Sequence, residues 1–492
     1  MKVKIILFLA LLSAAVNGQV RQPHSLYFME TIPQISQMNP AFQPRANGYV
    51  MFNVSGDILT DLTVKDIFQK QGANWVTPIE KQYDYNKLHN SIGKKAVAVN
   101  GGGIADIGFG YRMGNGYFSF GVSEHAIGNF ALPSDLFKIT ENGFPMGTNL
   151  DFSPLRTQGI AYMQILIGYS AKVSNRLSIG MNIKPLLGQA AVATKIDEFT
   201  LQTSEQQWEM NAKGNVYSSL PIEEVITDAD GKIKKINFKE IKDYKATDFV
   251  NKYVIALNNP GIALDLGAAY QINERLNVSA SLNNLGFISW NNDLNGITFK
   301  GQYTFNGVHY DASKNEKIKD LFKELGDSIA DAMNYVVHHD KFKTMLPPVL
   351  NAGVAYDLSK SMSVGLLSHS VFWQKDFRQS FNASFNLQPY SFFSLNAGAT
   401  WHVKDNVYLG GGFALLLGPV QLYLLVDNVP VRYSALTIDN KRLEFDLFNK
   451  QHPIPIPEQM KSITGRLGLN FVFGRHGYVN KPMLDKGRSS WN

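Results

Sequence analysis

The chain has 492 residues, with 41 Gly, 31 Phe, 21 Tyr, 6 Trp, no Cys and a formal net charge of +6. Only 18% of residues are charged while 12% are aromatic, against roughly 25% charged in a typical soluble domain. The mean hydropathy of −0.13 is nevertheless not that of a helical membrane protein. Lack of Cys excludes disulfides, thiolate metal sites, cysteine nucleophiles and an acylated N-terminus, and so small a net charge gives no ground for a nucleic-acid partner.

Lys2 and Lys4, the apolar run Ile5 to Leu12 and the small-residue site Val16-Asn17-Gly18 read as a cleaved signal peptide over residues 1–18. The run is too short to span a bilayer as a helix. Beyond it, apolar and small or polar residues alternate repeatedly. Phe381, Ala383, Phe385 and Leu387 alternate with Asn382, Ser384, Asn386 and Gln388, and Ile262, Leu264, Leu266 and Ala268 alternate with Ala263, Asp265, Gly267 and Ala269. Period two puts one set on each face of a strand. The pattern predicts fourteen strands, at 48–56, 101–112, 117–127, 159–173, 176–187, 261–272, 275–288, 347–358, 361–372, 377–387, 392–402, 407–417, 420–426 and 464–473.

The connections sort by length. Those at 113–116, 174–175, 273–274, 359–360, 388–391 and 418–419 are tight. The long ones, 57–100, 128–158, 188–260, 289–346 and 427–463, all fall at the other end, together with two tight turns at 373–376 and 403–406. An even strand number with short turns at one end and long loops at the other is the pattern of outer-membrane barrels. The expected fold is therefore all-β: a fourteen-stranded antiparallel transmembrane β-barrel in the outer membrane of a Gram-negative bacterium. Stretch 188–219 allows either a protruding hairpin or two further wall strands, sixteen in all.

Within the long loops, Ile318, Leu321, Phe322, Leu325, Ile329, Met333 and Val336 have helical spacing, which predicts an amphipathic helix over 312–338. Residues 232–245 carry six Lys, a solvated face or a patch for lipopolysaccharide phosphates. Residues 474–492 read as a periplasmic tail. By alternation, Asp106, Arg112, Lys184, Asp265, Asp357 and Arg466 face the lumen, where charges pair, line a wet path or hold an interior segment.

No Gly-x-Ser-x-Gly, HExxH, Walker or EF-hand pattern occurs, and the Gly triplets at 101–103 and 410–412 lie in strands rather than opening a helix. His338-His339-Asp340 does not read as a metal site, because adjacent His on a helix diverge by about 100°. No catalytic residue, cofactor or metal is expected.

Two short motifs carry a resemblance. Asn39-Pro40-Ala41, placed between the leader and the first strand, resembles the hatch of the FadL-type long-chain fatty-acid transporter superfamily, whose members are fourteen-stranded outer-membrane barrels. The start Pro33-Gln34 to Asn39-Pro40-Ala41-Phe42 and the close Gly468-Leu469-Asn470-Phe471-Val472-Phe473-Gly474 are similar to an uncharacterised Bacteroidota outer-membrane family within it. The close also resembles the terminal signal read by the barrel assembly machinery, carried here by Gly468, Phe471 and Phe473. The resemblance implies that residues 19–47 form a plug in the lumen. It also implies uptake of a hydrophobic small molecule, released sideways through the wall. A PorV-type branch of similar architecture implies the alternative, a non-conducting barrel that shuttles or scaffolds a surface or secretion-system protein.

Overall fold

A computed structural model describes residues 23–475 except 61–62, 64–67, 72–73, 77–82, 85–86, 89, 91–95, 143–145, 221, 228–232, 239–257, 306–333, 374–375, 404–406, 436, 439–440, 443, 448–449, 454 and 458–459. Fourteen strands form the wall: β1 (Ala46–Thr60), β2 (Ala96–Met113), β3 (Gly116–Pro133), β4 (Arg156–Lys172), β5 (Leu177–Thr203), β6 (Pro260–Gln271), β7 (Leu276–Trp290), β8 (Val349–Asp357), β9 (Met362–Trp373), β10 (Asp376–Tyr390), β11 (Phe393–His402), β12 (Val407–Leu417), β13 (Val420–Val429) and β14 (Ser462–Arg475). Each pairs antiparallel with the next, and β14 pairs back onto β1 from Ala46↔Arg475 to Leu59↔Ser462. Closure leaves the wall no free edge, so every wall strand finds backbone partners on both sides.

The burial pattern is inverted relative to a soluble sheet. Along β1, Asn53, Ser55 and Asp57 are buried while Phe52 and Val54 are exposed, Val54 by 54%. Along β9, His369 is buried and Leu366 is 63% exposed. The same sign holds around the ring, with Phe109, Ile167, Ile183, Ile262, Phe381, Leu409, Leu422 and Phe471 exposed on the outside. An apolar belt of this extent is untenable in water and is the lipid-facing surface of a membrane barrel. No described helix is long and apolar enough to cross a membrane; the chain crosses with strands.

The stretch 188–219 is a protruding hairpin. Strand β5 runs on past Leu187, where its pairing with β6 ends, and Ala191–Thr203 pairs instead with Trp208–Ser219. Gly296–Phe305 joins that ribbon, and Asn334–His338 joins Gly296–Lys300, giving a small sheet above the wall at the long-loop end. This corrects the end of the helix expected over 312–338. Residues 334–338 form a strand, because Tyr335 and Val336 meet an open sheet edge at Phe299 and Thr298; residues 312–333 lie outside the described ones. So do residues 1–22, where a signal peptide is expected, residues 476–492, and Lys232, Lys239, Lys242 and Lys245 of the basic stretch.

Candidate functional site: the lumen and the N-terminal segment

Residues 23–45 run inside the barrel. A short 3-10 turn (His24–Phe28) and one α-turn (Ile35–Met38) are joined by tight bends. Leu26, Tyr27, Phe28, Ile32, Ile35 and Met38 pack in one buried cluster with the wall residues Ala269, Ala355, Leu367, Ala414, Tyr423 and Leu425. The segment thus has its own apolar core even though the inner wall is mostly polar, and it needs no regular secondary structure because wall side chains satisfy its backbone.

Its contacts follow the chain. The Ser25 backbone N–H and hydroxyl both donate to Asp427 Oδ2, at 2.9 and 3.1 Å. Gln34 and Asn470 exchange amide hydrogen bonds of 2.6 and 3.1 Å, and Gln421 donates to the Thr31 carbonyl at 2.8 Å. The Met38 carbonyl accepts from Ser281 and Asn283 on β7 and from Asn351 on β8. Asn39 folds over its own turn: its Oδ1 accepts from Ala41 N–H at 2.9 Å, and its Nδ2 donates to the carbonyls of Ala268 and Ala280. Near the tight-turn end, Arg45 binds Glu30 and Gln388. Burial pushes the Glu30 carboxyl up, and the Arg45 guanidinium acts in the opposite direction.

The six charges read from alternation fall into three groups. Lys184 Nζ lies 2.6 Å from Asp265 Oδ2, both side chains buried, and Asn182 and the Asn284 backbone also donate to Asp265. Arg466 Nη2 lies 3.6 Å from Asp106 and donates at 2.6 Å to Gln37 of the segment. Asn53 also donates to Asp106. The first pair joins the neighbouring strands β5 and β6, and the second reaches across β1 from β14 to β2; in both, a buried charge is matched by its opposite, as desolvated charges require. The remaining two sit at the tight-turn end. Arg112 holds Gln43 and the Pro44 carbonyl, and Asp357 lines a small recess with Glu30 and Arg45. Of the closing motif, Phe471 and Phe473 are exposed on the lipid side of β14, and Gly468 faces the Tyr423 ring.

Several lumen residues escaped the sequence reading. Asp427 lies just past the predicted end of its strand, where continued alternation from Gln421, Tyr423 and Leu425 would have placed it inside. Gln34 and Gln37 carry no pattern, since their segment has no period. His338 is in a strand, with Nδ1 3.1 Å from Asp340, and among the described residues no group of three His, Asp or Glu is placed to hold a metal.

Above the segment, toward the long-loop end, lies a cavity with about 890 Å³ of empty space including its open part. Gln37, Met38, Asp106, Lys184, Asn283 and Asn351 are among the residues on its inner side, and Ile127 and Tyr162 are on the side of a second apolar cluster containing Leu186, Ile288, Trp290 and Leu346. At this height the wall is irregular. Asn284 adopts φ 61° in a bulge opposite Asp265, and beyond it β7 changes partner from β8 to Phe342–Met345. The left-handed conformation, uncommon outside Gly, is held by the Asn284 N–H bond to Asp265.

Fold and lumen together define a fourteen-stranded outer-membrane β-barrel with its N-terminal segment folded inside. The chain belongs to a family of unknown function (DUF5723), whose model matches residues 40–427. Its fold is similar to the toluene transporter TbuX of Ralstonia pickettii (10% identity, 90% of this chain and 94% of that chain, TM-score 0.42). It is likewise similar to the toluene transporter TodX of P. putida (9%, 89% and 93%, TM-score 0.40) and to a Pseudomonas aeruginosa FadL homologue (10%, 93% and 100%, TM-score 0.43). No curated protein matches the chain.

Proposed function

We propose that this barrel passes small hydrophobic or amphipathic molecules across the outer membrane, and that the plug expected over residues 19–47 is the segment 19–45, since Ala46 already opens β1. The observation that supports this best is the buried N-terminal segment with a cavity directly above it. A molecule captured at the long-loop end would enter the cavity and stop against Gln37 and Met38. The bulge at Asn284 and the change of partner along β7 border the same cavity, and a sideways exit into lipid belongs there. In this reading the leader over 1–18 directs export, and Phe471 and Phe473 present the closing strand to the barrel assembly machinery.

The test is uptake of the hydrophobic fluorophore N-phenylnaphthylamine by cells with a lipopolysaccharide-covered outer membrane. Cells making the protein should take it up faster than vector controls. Equal rates at confirmed surface levels would overturn the reading.

A second reading, a scaffold for a surface or secreted protein, draws on the sheet of Ala191–Thr203, Trp208–Ser219, Gly296–Phe305 and Asn334–His338 standing above the wall. It requires a stoichiometric partner that co-purifies with the whole chain and is lost when Trp208–Ser219 is replaced by a short turn.

A further inference from the structure

Resting on the transport reading, we infer that the lumen cavity selects neutral amphipathic molecules that carry a hydrogen-bond donor, and rejects carboxylate and ammonium amphiphiles.

The cavity is polar toward the plug and apolar toward the long-loop end. Its lysine, Lys184, is already matched by Asp265 at 2.6 Å, and its carboxylate, Asp106, faces Arg466 at 3.6 Å. Lys184 also donates to Asn284, and Asp106 accepts from Asn53. A ligand carboxylate would have to compete with Asp265 for Lys184, and an ammonium with Arg466 for Asp106. Either exchange leaves a buried charge unmatched, which costs more than the new contact returns. Two histidines line the cavity and both are engaged within the wall: His125 bonds Ser123, which in turn accepts from Gln164, and His369 Nδ1 bonds Asn351 Oδ1 at 2.7 Å.

What the floor leaves open is a neutral acceptor. Asn283 is buried, its Nδ2 is spent on the Met38 carbonyl, and its Oδ1 has no hydrogen-bond partner among the described residues. A buried amide oxygen left unbonded calls for a donor. A hydroxyl or N–H head group meets that need, while its apolar tail lies toward Ile127 and Tyr162 and the cluster around Trp290.

The test compares binding of octanol, octanoate and octylammonium to the detergent-solubilised protein by titration calorimetry near neutral pH. Octanol should bind at least about tenfold more tightly than either ion. Asp265→Asn, which unpairs Lys184, should gain octanoate binding by about tenfold or more. Asp106→Asn, which unpairs Arg466, provides a second route to the same gain should the first variant not fold. Octanoate binding to the wild type as tight as octanol, or no octanol binding by protein whose gel migration is heat-modifiable, would overturn the proposal. Passage is read separately: octanol preference without fluorophore uptake removes the transport reading and keeps the site, and uptake without the preference does the reverse.

Discussion

Asn39 and Gly267 are in contact: a Cβ added to Gly267 would collide with Asn39 Oδ1 and lie 2.9 Å from Ala41 N. Gly180, on the neighbouring strand, stands in the same relation to the Pro40 carbonyl. The Asn39-Pro40-Ala41 turn is thus seated against two bare patches of backbone, and close approach is what these glycines provide. Gly267→Val and Gly180→Val should push the turn off the wall while β5 and β6 keep their pairing. Limited proteolysis should then cut within residues 23–45 at least several-fold faster than in wild type, with the barrel fragment intact.

Asn39→Ala should destabilise the same turn by a different route. It removes the acceptor of Ala41 N–H and the donor to Ala268 and Ala280, leaving buried backbone groups unbonded at about 1–3 kcal/mol. Hydrogen exchange at Ala41 should rise, while Asn39→Asp should restore the Ala41 bond but not the two wall contacts.

The Lys184–Asp265 pair gives a prediction of sign as well as size. Lys184→Met alone leaves Asp265 buried without its cation and should cost about 3–5 kcal/mol in urea unfolding from lipid vesicles. Combined with Asp265→Leu, the loss should largely disappear, because removing both charges removes the desolvation cost with them. A double variant as unstable as the single one would show that the pair has a further role in holding Asn284.

On the outside, Leu366→Arg should be costly because Leu366 is 63% exposed to the lipid side of β9. A charge in the apolar belt costs up to about 2–4 kcal/mol at the bilayer midplane. Ser368→Arg, two residues along on the same face, provides the depth comparison, and the two should differ according to their distance from the interface.

The wall was legible because a membrane barrel writes its two solvents into alternate residues. Phe381 to Gln388 states inside and outside at every step, and all fourteen predicted strands lie where wall strands are found. The alternation blurs where a strand leaves lipid. Beyond Leu187, β5 is half-buried on both faces, so the alternation left a protruding hairpin and two further wall strands equally open. Met333 and Val336, three apart, suited a helix, but Tyr335 and Val336 form sheet because an edge at Phe299 was available, a fact of tertiary structure. Lumen charges were placed on a face but not with partners, since pairing Asp106 with Arg466 depends on β1 lying between β2 and β14 after closure. The buried N-terminal segment, held by Gln34, Gln37 and Asn39 through amides rather than a period, was visible only through its short motif.

The central claim, a pore closed by its own N-terminal segment, is tested most directly by ion conductance in planar bilayers. The comparison is between the chain from residue 19 onward and a form that also lacks residues 19–45, which leaves β1 whole from Ala46. The account predicts near-zero conductance for the full chain and steady open steps for the shortened one. Equal, near-zero conductance from both, with the shortened barrel shown to be folded by heat-modifiable migration, would contradict it.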